Sequence, residues 1–306
     1  MSPLRPFRPP FLPPRPLKRV YPWRKAKEKR MTMAAGFVCS DGVLLCADTL
    51  YTDGYTKEYR EKIFNVPVSG GEFAIALSGH ADNARMAFDK AKAVLQSGNR
   101  KTDSIRSIVD VATESVIDVQ RCFVDSRPHD EQEMAAFSLL IAAAARNQGA
   151  KLFVTEGRSG VAEIDTFACR GIARHLGQFI IAAGYSSEIT VDQAAILGIH
   201  ALTAAKEHVD GCGGPSQFYA IKNGIASPVV GHDVRLSEGM VQRYNAAMAS
   251  TLLSIGDAEL TEEVFERELA RFDSFATKLR REWIAEGTHY RELAAHLSRP
   301  SKPTNS

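Results

Sequence analysis

The 306-residue chain is 44% hydrophobic and 24% charged with a formal net charge of +2, which suits a globular protein with room for one large domain and an appendage. No apolar run approaches the roughly 18 residues that a membrane-spanning helix needs, so no membrane partner is expected. Residues 1–30 hold ten Lys or Arg against one acid and leave the rest net acidic, which argues against a nucleic-acid partner, because such a partner requires the basic patch on the folded domain.

Eight of the 14 prolines also fall in residues 1–30. That composition cannot bury a core, so residues 1–31 read as a disordered Pro/Arg-rich extension or propeptide. It contains no continuous apolar stretch of the kind a secretory signal requires. The five cysteines are odd in number and lack CxxC spacing, which fits a reducing, cytoplasmic compartment and no zinc site. No P-loop, G-x-S-x-G or H-E-x-x-H occurs, so nucleotide hydrolysis, serine-hydrolase and zincin chemistry have no support and no cofactor is called for.

In chain order, Ala34 to Cys39 and Val43 to Ala47 read as strands joined by Ser40-Asp41-Gly42, and Asp-Gly between β-prone runs is a strong hairpin signal. The second strand runs straight into Asp48. A carboxylate at the end of a buried strand needs a partner, and Lys62 is the candidate after a polar loop. Strands follow at Ile63 to Val68 and Glu72 to Leu77, the second ending in Ser78-Gly79-His80 before a helix. Helical periodicity covers Ala81 to Gln96 and Ser104 to Val124, and Arg127-Pro128 ends the second helix. Strand patterns resume over Ala135 to Ala145, Lys151 to Thr155 and Ala162 to Ala168. A third helix spans about Ile172 to Ala183, and a fourth opens on the capping box Thr190-Val-Asp-Gln193 and reaches His208. His80 suits a cap, and His175, His200 and His208 suit core or surface places on helices. Beyond lie amphipathic helical patterns, with Leu236, Met240 and Tyr244 in one and Leu269, Phe272 and Trp283 in another, which need a partner surface.

The stretch from Thr32 to Lys62 resembles the start of mature proteasomal β subunits, the N-terminal-nucleophile (Ntn) hydrolases that use threonine. Thr32 falls at the mature first position, and Gly36, Asp41-Gly42 and Ala47-Asp48-Thr49 match without a gap. Thr52, Gly54 and Glu61-Lys62-Ile63 follow after a slightly shorter loop. Taken singly these are a strand-opening threonine, a corner aspartate and a surface lysine. Their order and spacing carry the resemblance.

The resemblance implies an α+β fold, a four-layer αββα sandwich over residues 32–231; the helical patterns beyond it read as an extra C-terminal helical region at 232–297, and 298–306 as a disordered tail. It implies Thr32 as nucleophile, Lys62 to tune its amine, Asp48 to hold Lys62, the Gly79 N–H for the oxyanion, and Asp210 to help order the site. The chemistry is sound: a free α-amine has a pKa of about 7.7 to 8.0, so an N-terminal threonine carries its own general base, and a nearby ammonium favours its neutral form. Leu77 would add to an apolar specificity pocket. The α-amine would be freed by removal of residues 1–31 or by translation from Met31 followed by loss of that methionine, and Met31 stands where self-processing relatives usually have glycine. Two later motifs depart from the family: Cys169-Arg170-Gly171 replaces G-S-G, and Asp210-Gly-Cys-Gly-Gly214 replaces D-x-x-S-G-G. Arg170 could instead take an anionic group.

The expected function is therefore a threonine-type peptidase, forming a homo-oligomer, in the family's form a ring, and acting on a peptide or protein substrate. The sequence names no ATPase partner. Two other readings stand beside it: a non-catalytic structural subunit, and an Ntn amidohydrolase for a small metabolite.

Overall fold

The computed structural model describes residues 32–52, 56–155, 160–229 and 231–297. The expected extension at 1–31, Gly54 of the matched motif and the expected tail at 298–306 lie outside the described residues.

The chain opens with β1 (Met33–Cys39), β2 (Gly42–Ala47), β3 (Leu50–Thr52), β4 (Lys57–Tyr59), β5 (Ile63–Val68) and β6 (Gly71–Gly79). Helices α1 (Ala81–Gln96), α2 (Ile105–Val119) and α3 (His129–Ala135) follow, then β7 (Phe137–Ala145), β8 (Gly149–Thr155), β9 (Val161–Ile164) and β10 (Phe167–Gly171). The chain continues with α4 (Arg174–Gly184), α5 (Val191–His208), β11 (Gln217–Lys222), β12 (Ile225–Val229), α6 (Gly231–Ile255) and α7 (Glu262–Leu297). One five-stranded sheet has the order β10-β1-β2-β11-β12 and the other β5-β6-β7-β8-β9.

The apolar strand sequences explain the layering. Along β6, Phe73, Ile75 and Leu77 join the core under α1 and α2, whereas Ala74 and Ala76 face the other sheet. Along β2, Leu44 and Cys46 join the core that includes α4 and α5, whereas Val43, Leu45 and Ala47 meet the opposite sheet. Both faces of these two strands are buried, so the period of two assigns apolar residues to one core or the other instead of sorting apolar from polar. The result is the expected four-layer αββα sandwich, with α6 and α7 added outside the α4/α5 layer through Val234, Val241 and Trp283.

Several expectations are corrected. The polar loop before Lys62 contains a small hairpin, β3 pairing with β4. The run Ala162 to Ala168 is two strands: β9 pairs with β8 and β10 pairs with β1, so the chain crosses between sheets at Asp165-Thr166. Ala135 ends a helix rather than opening a strand, since Asp130 and Glu131 favour the helix start at α3. The second helix gives way to a π turn over Gln120–Asp125. The Thr190–Gln193 capping box forms as expected, and His80 caps α1 by accepting the Asn83 N–H.

Candidate active site

Thr32 enters β1, Asp48 leaves β2, and Lys62 leads into β5 of the other sheet. Antiparallel pairing of Ala34 with Ala47 sets the first two side by side, and the Asp48 N–H donates to Met33 O at 3.1 Å. Lys62 approaches across the gap between sheets, its carbonyl accepting the Leu77 N–H at 2.9 Å. Three residues distant in sequence are thereby brought to one end of the sandwich.

Their bonding is complete. Lys62 Nζ donates to Thr32 Oγ1, to Asp48 Oδ1 at 2.7 Å and to Leu50 O at 2.7 Å, which uses all three protons of an ammonium. Asp48 Oδ1 also accepts from Thr32 Oγ1 at 2.9 Å and from the Met33 N–H at 3.0 Å, and Oδ2 accepts the Gly213 N–H at 3.0 Å. Asp48 and Lys62 are fully buried and Thr32 is nearly so. Burial pushes the Lys62 pKa below that of an ordinary lysine, against the opposing pull of Asp48. The Tyr51 ring lies 4.8 Å from Nζ and adds a cation–π contact.

The other expected residues are placed less directly. Gly79 closes β6 with φ +85°, and a Cβ there would stand 2.6 Å from Ala136 O, so the position demands glycine whatever its N–H does. Leu77 is buried in the core under α1 and α2. Asp210 is exposed in the turn after α5, and it is the Gly213 N–H of that loop, not Asp210, that reaches the Asp48 carboxylate. Cys212, near the missing serine, is buried, and burial together with Asp48 pushes its thiol up to about 12. It is thus a neutral thiol, unsuited to nucleophilic attack. Arg170 lies opposite Ala34 on β10 and donates from Nη1 to Cys169 O at 2.9 Å.

Sequence reasoning missed the residues that grip this end of the sandwich. Gln217 Oε1 accepts the Lys62 N–H at 2.7 Å, and Gly213 O accepts the N–H groups of Thr49 and Leu50. Gly171 has φ +98° and passes so close to Thr32 that a Cβ would stand 2.0 Å from its carbonyl oxygen. Such contacts join residues far apart in the chain, and no local pattern announces them.

Comparison with known proteins agrees with this architecture. The model of the family described as "Proteasome subunit" matches residues 29–219. The proteasome subunit alpha of Methanocaldococcus jannaschii is 30% identical over 197 residues, covering 63% of this chain and 72% of the relative. The proteasome subunit beta of Methanosphaera stadtmanae is 25% identical over 178 residues, covering 58% and 79%. Among solved structures, the Anbu complex of Pseudomonas aeruginosa, a helical assembly, superposes with a TM-score of 0.63 at 12% identity, covering 72% of this chain and 95% of that one. Anbu from Yersinia bercovieri gives 0.62 at 13%, covering 72% and 97%. The family match spans well over half of the chain, and the fold agrees with it: the chain belongs to the proteasome subunit family.

Proposed function

We propose that this subunit is a threonine-type amide hydrolase whose nucleophile is Thr32, acting on peptide or protein substrates. The buried, fully bonded cluster of Thr32, Asp48 and Lys62 carries the reading, because a structural subunit has no use for an ion pair and a hydroxyl so costly to bury. Removal of the residues before Thr32 frees its α-amine. The amine takes the Oγ1 proton as the oxygen attacks the substrate carbonyl. Lys62 Nζ donates to Oγ1, and its positive charge favours both the neutral amine and the departure of that proton. Asp48 holds Lys62 in place, and the Gly79 N–H receives the developing oxyanion. The amine then protonates the leaving nitrogen, and water hydrolyses the acyl-threonine ester. Asp210 acts only through its loop.

A homo-oligomeric assembly and a cytoplasmic location belong to the same proposal, the latter in line with five free cysteines. The rival is a non-catalytic subunit, favoured by the 30% identity to a subunit named alpha and by the absent accessory serines. Intact mass and N-terminal sequencing of the protein from its natural locus, followed by labelling with a peptide vinyl sulfone, separate the two. A chain beginning at Thr32 and labelled there supports the hydrolase. A chain with Thr32 still acylated by its upstream segment, taking no label, rejects it. Turnover of small amides but not of peptides would move the substrate to a small metabolite.

A further inference from the structure

The segment from Cys212 to Gln217, a loop over 212–216 that enters β11 at Gln217, makes several contacts to the site. Its Gly213 N–H holds Asp48 Oδ2, its Pro215 carbonyl accepts Thr49 Oγ1 at 2.8 Å, and Gln217 holds the Lys62 N–H. Gln217 is already held by its pairing with Ala47, but residues 212–216 pair with no strand, and such a segment keeps its geometry only if something fixes it from behind. Ser216, buried and directly before β11, faces away from these contacts, toward the helices. Ser216 Oγ donates to Glu238 Oε1 of α6 at 2.5 Å and accepts from Lys206 Nζ of α5 at 2.8 Å. Lys206 and Glu238 pair with each other at 2.6 Å, with side chains 16% and 19% exposed. The charges are largely desolvated, so the triangle is rigid and loss of one charge leaves the other uncompensated. Glu238 lies beyond residue 219, where the match to the family model ends.

We propose that α6 is a positioning element for the nucleophile: Glu238, with Lys206, clamps Ser216 and so holds the 212–217 loop against Asp48 and Lys62. This rests on Thr32 being the nucleophile. None of the three clamp residues touches the reacting atoms, and each acts through the loop.

The test uses the protein beginning at Thr32, compared with Glu238→Ala, Glu238→Asp and the double variant Lys206→Met with Glu238→Leu, which removes both charges and keeps the bulk. Amide exchange by mass spectrometry reads the loop, and labelling by a peptide vinyl sulfone reads the nucleophile. Glu238→Ala is expected to speed exchange over residues 210–217 while the sheet β5-β9 is unaffected. It should lower the limiting labelling rate about tenfold at an unchanged half-saturating concentration, with partial recovery in Glu238→Asp. Should Glu238→Ala fail to fold, the double variant is expected to show the same pair of changes. Unchanged loop exchange, or a loosened loop with an unchanged labelling rate, overturns the proposal. A wild-type protein that begins at Thr32 and takes no label overturns the nucleophile reading alone. Loop exchange then still decides the clamp, which faster exchange upholds and unchanged exchange rejects.

Discussion

Lys62 Nζ stands 2.7 Å from Asp48 Oδ1, and neither side chain is exposed to solvent. An ion pair in that setting gains little over a well-packed apolar pair, yet breaking it strands a buried charge. Lys62→Ala and Asp48→Ala are each expected to cost about 3–5 kcal/mol, whereas the double variant costs clearly less than the sum. Urea unfolding of the four proteins checks this. Single-variant losses below about 1 kcal/mol would mean that the pair is solvated, contrary to its geometry.

Thr32→Ser keeps the hydroxyl that both Asp48 and Lys62 bond, whereas Thr32→Ala removes it. The alanine variant should lose about 1–3 kcal/mol for the unsatisfied buried partners and take no vinyl sulfone label. The serine variant should keep stability within about 1 kcal/mol and retain labelling. Equal labelling of wild type and Thr32→Ala would place the nucleophile elsewhere.

Gly171 approaches the Thr32 carbonyl in a left-handed conformation. In Gly171→Ala the methyl group cannot fit without displacing β10 or the start of β1. A stability loss of at least about 1–3 kcal/mol, with labelling reduced in parallel, is expected from thermal unfolding and labelling rates. A fully labelled, fully stable alanine variant would show that the first residue of the site moves freely.

The order of strands and helices was legible because its signals are local, and the resemblance supplied the sandwich. Asp41-Gly42 marks a hairpin, and Thr190 and Gln193 mark a helix start. The cluster of Thr32, Asp48 and Lys62 was legible through the resemblance, which their order and spacing carry, although each residue taken singly is ordinary. What escaped depends on tertiary approach. Gln217 meets Lys62 across 155 positions, and Glu238 meets Ser216 only because α6 folds back on α5. The sheet change at Asp165-Thr166 escaped because both halves are equally strand-like, and only their partners differ.

The buried thiols make alkaline stability a further test. Burial pushes Cys39, Cys169 and Cys212 up to about 12, and raises Cys46 as well. From about pH 9 to about pH 12 the unfolded chain therefore loses thiol protons that the folded chain keeps. Stability is fully present below about pH 9 and falls as pH rises, by about 1.4 kcal/mol per unit for each such thiol. Lys62 works the other way: its pKa is lowered on folding, so within its own window stability rises with pH. One lysine against four thiols leaves the slope negative. The urea midpoint should accordingly drop between pH 8 and pH 10, and Cys169→Ala should flatten that drop by roughly one thiol's share. A drop that is the same in Cys169→Ala as in the wild type would show that this thiol ionises alike in the folded and unfolded chains.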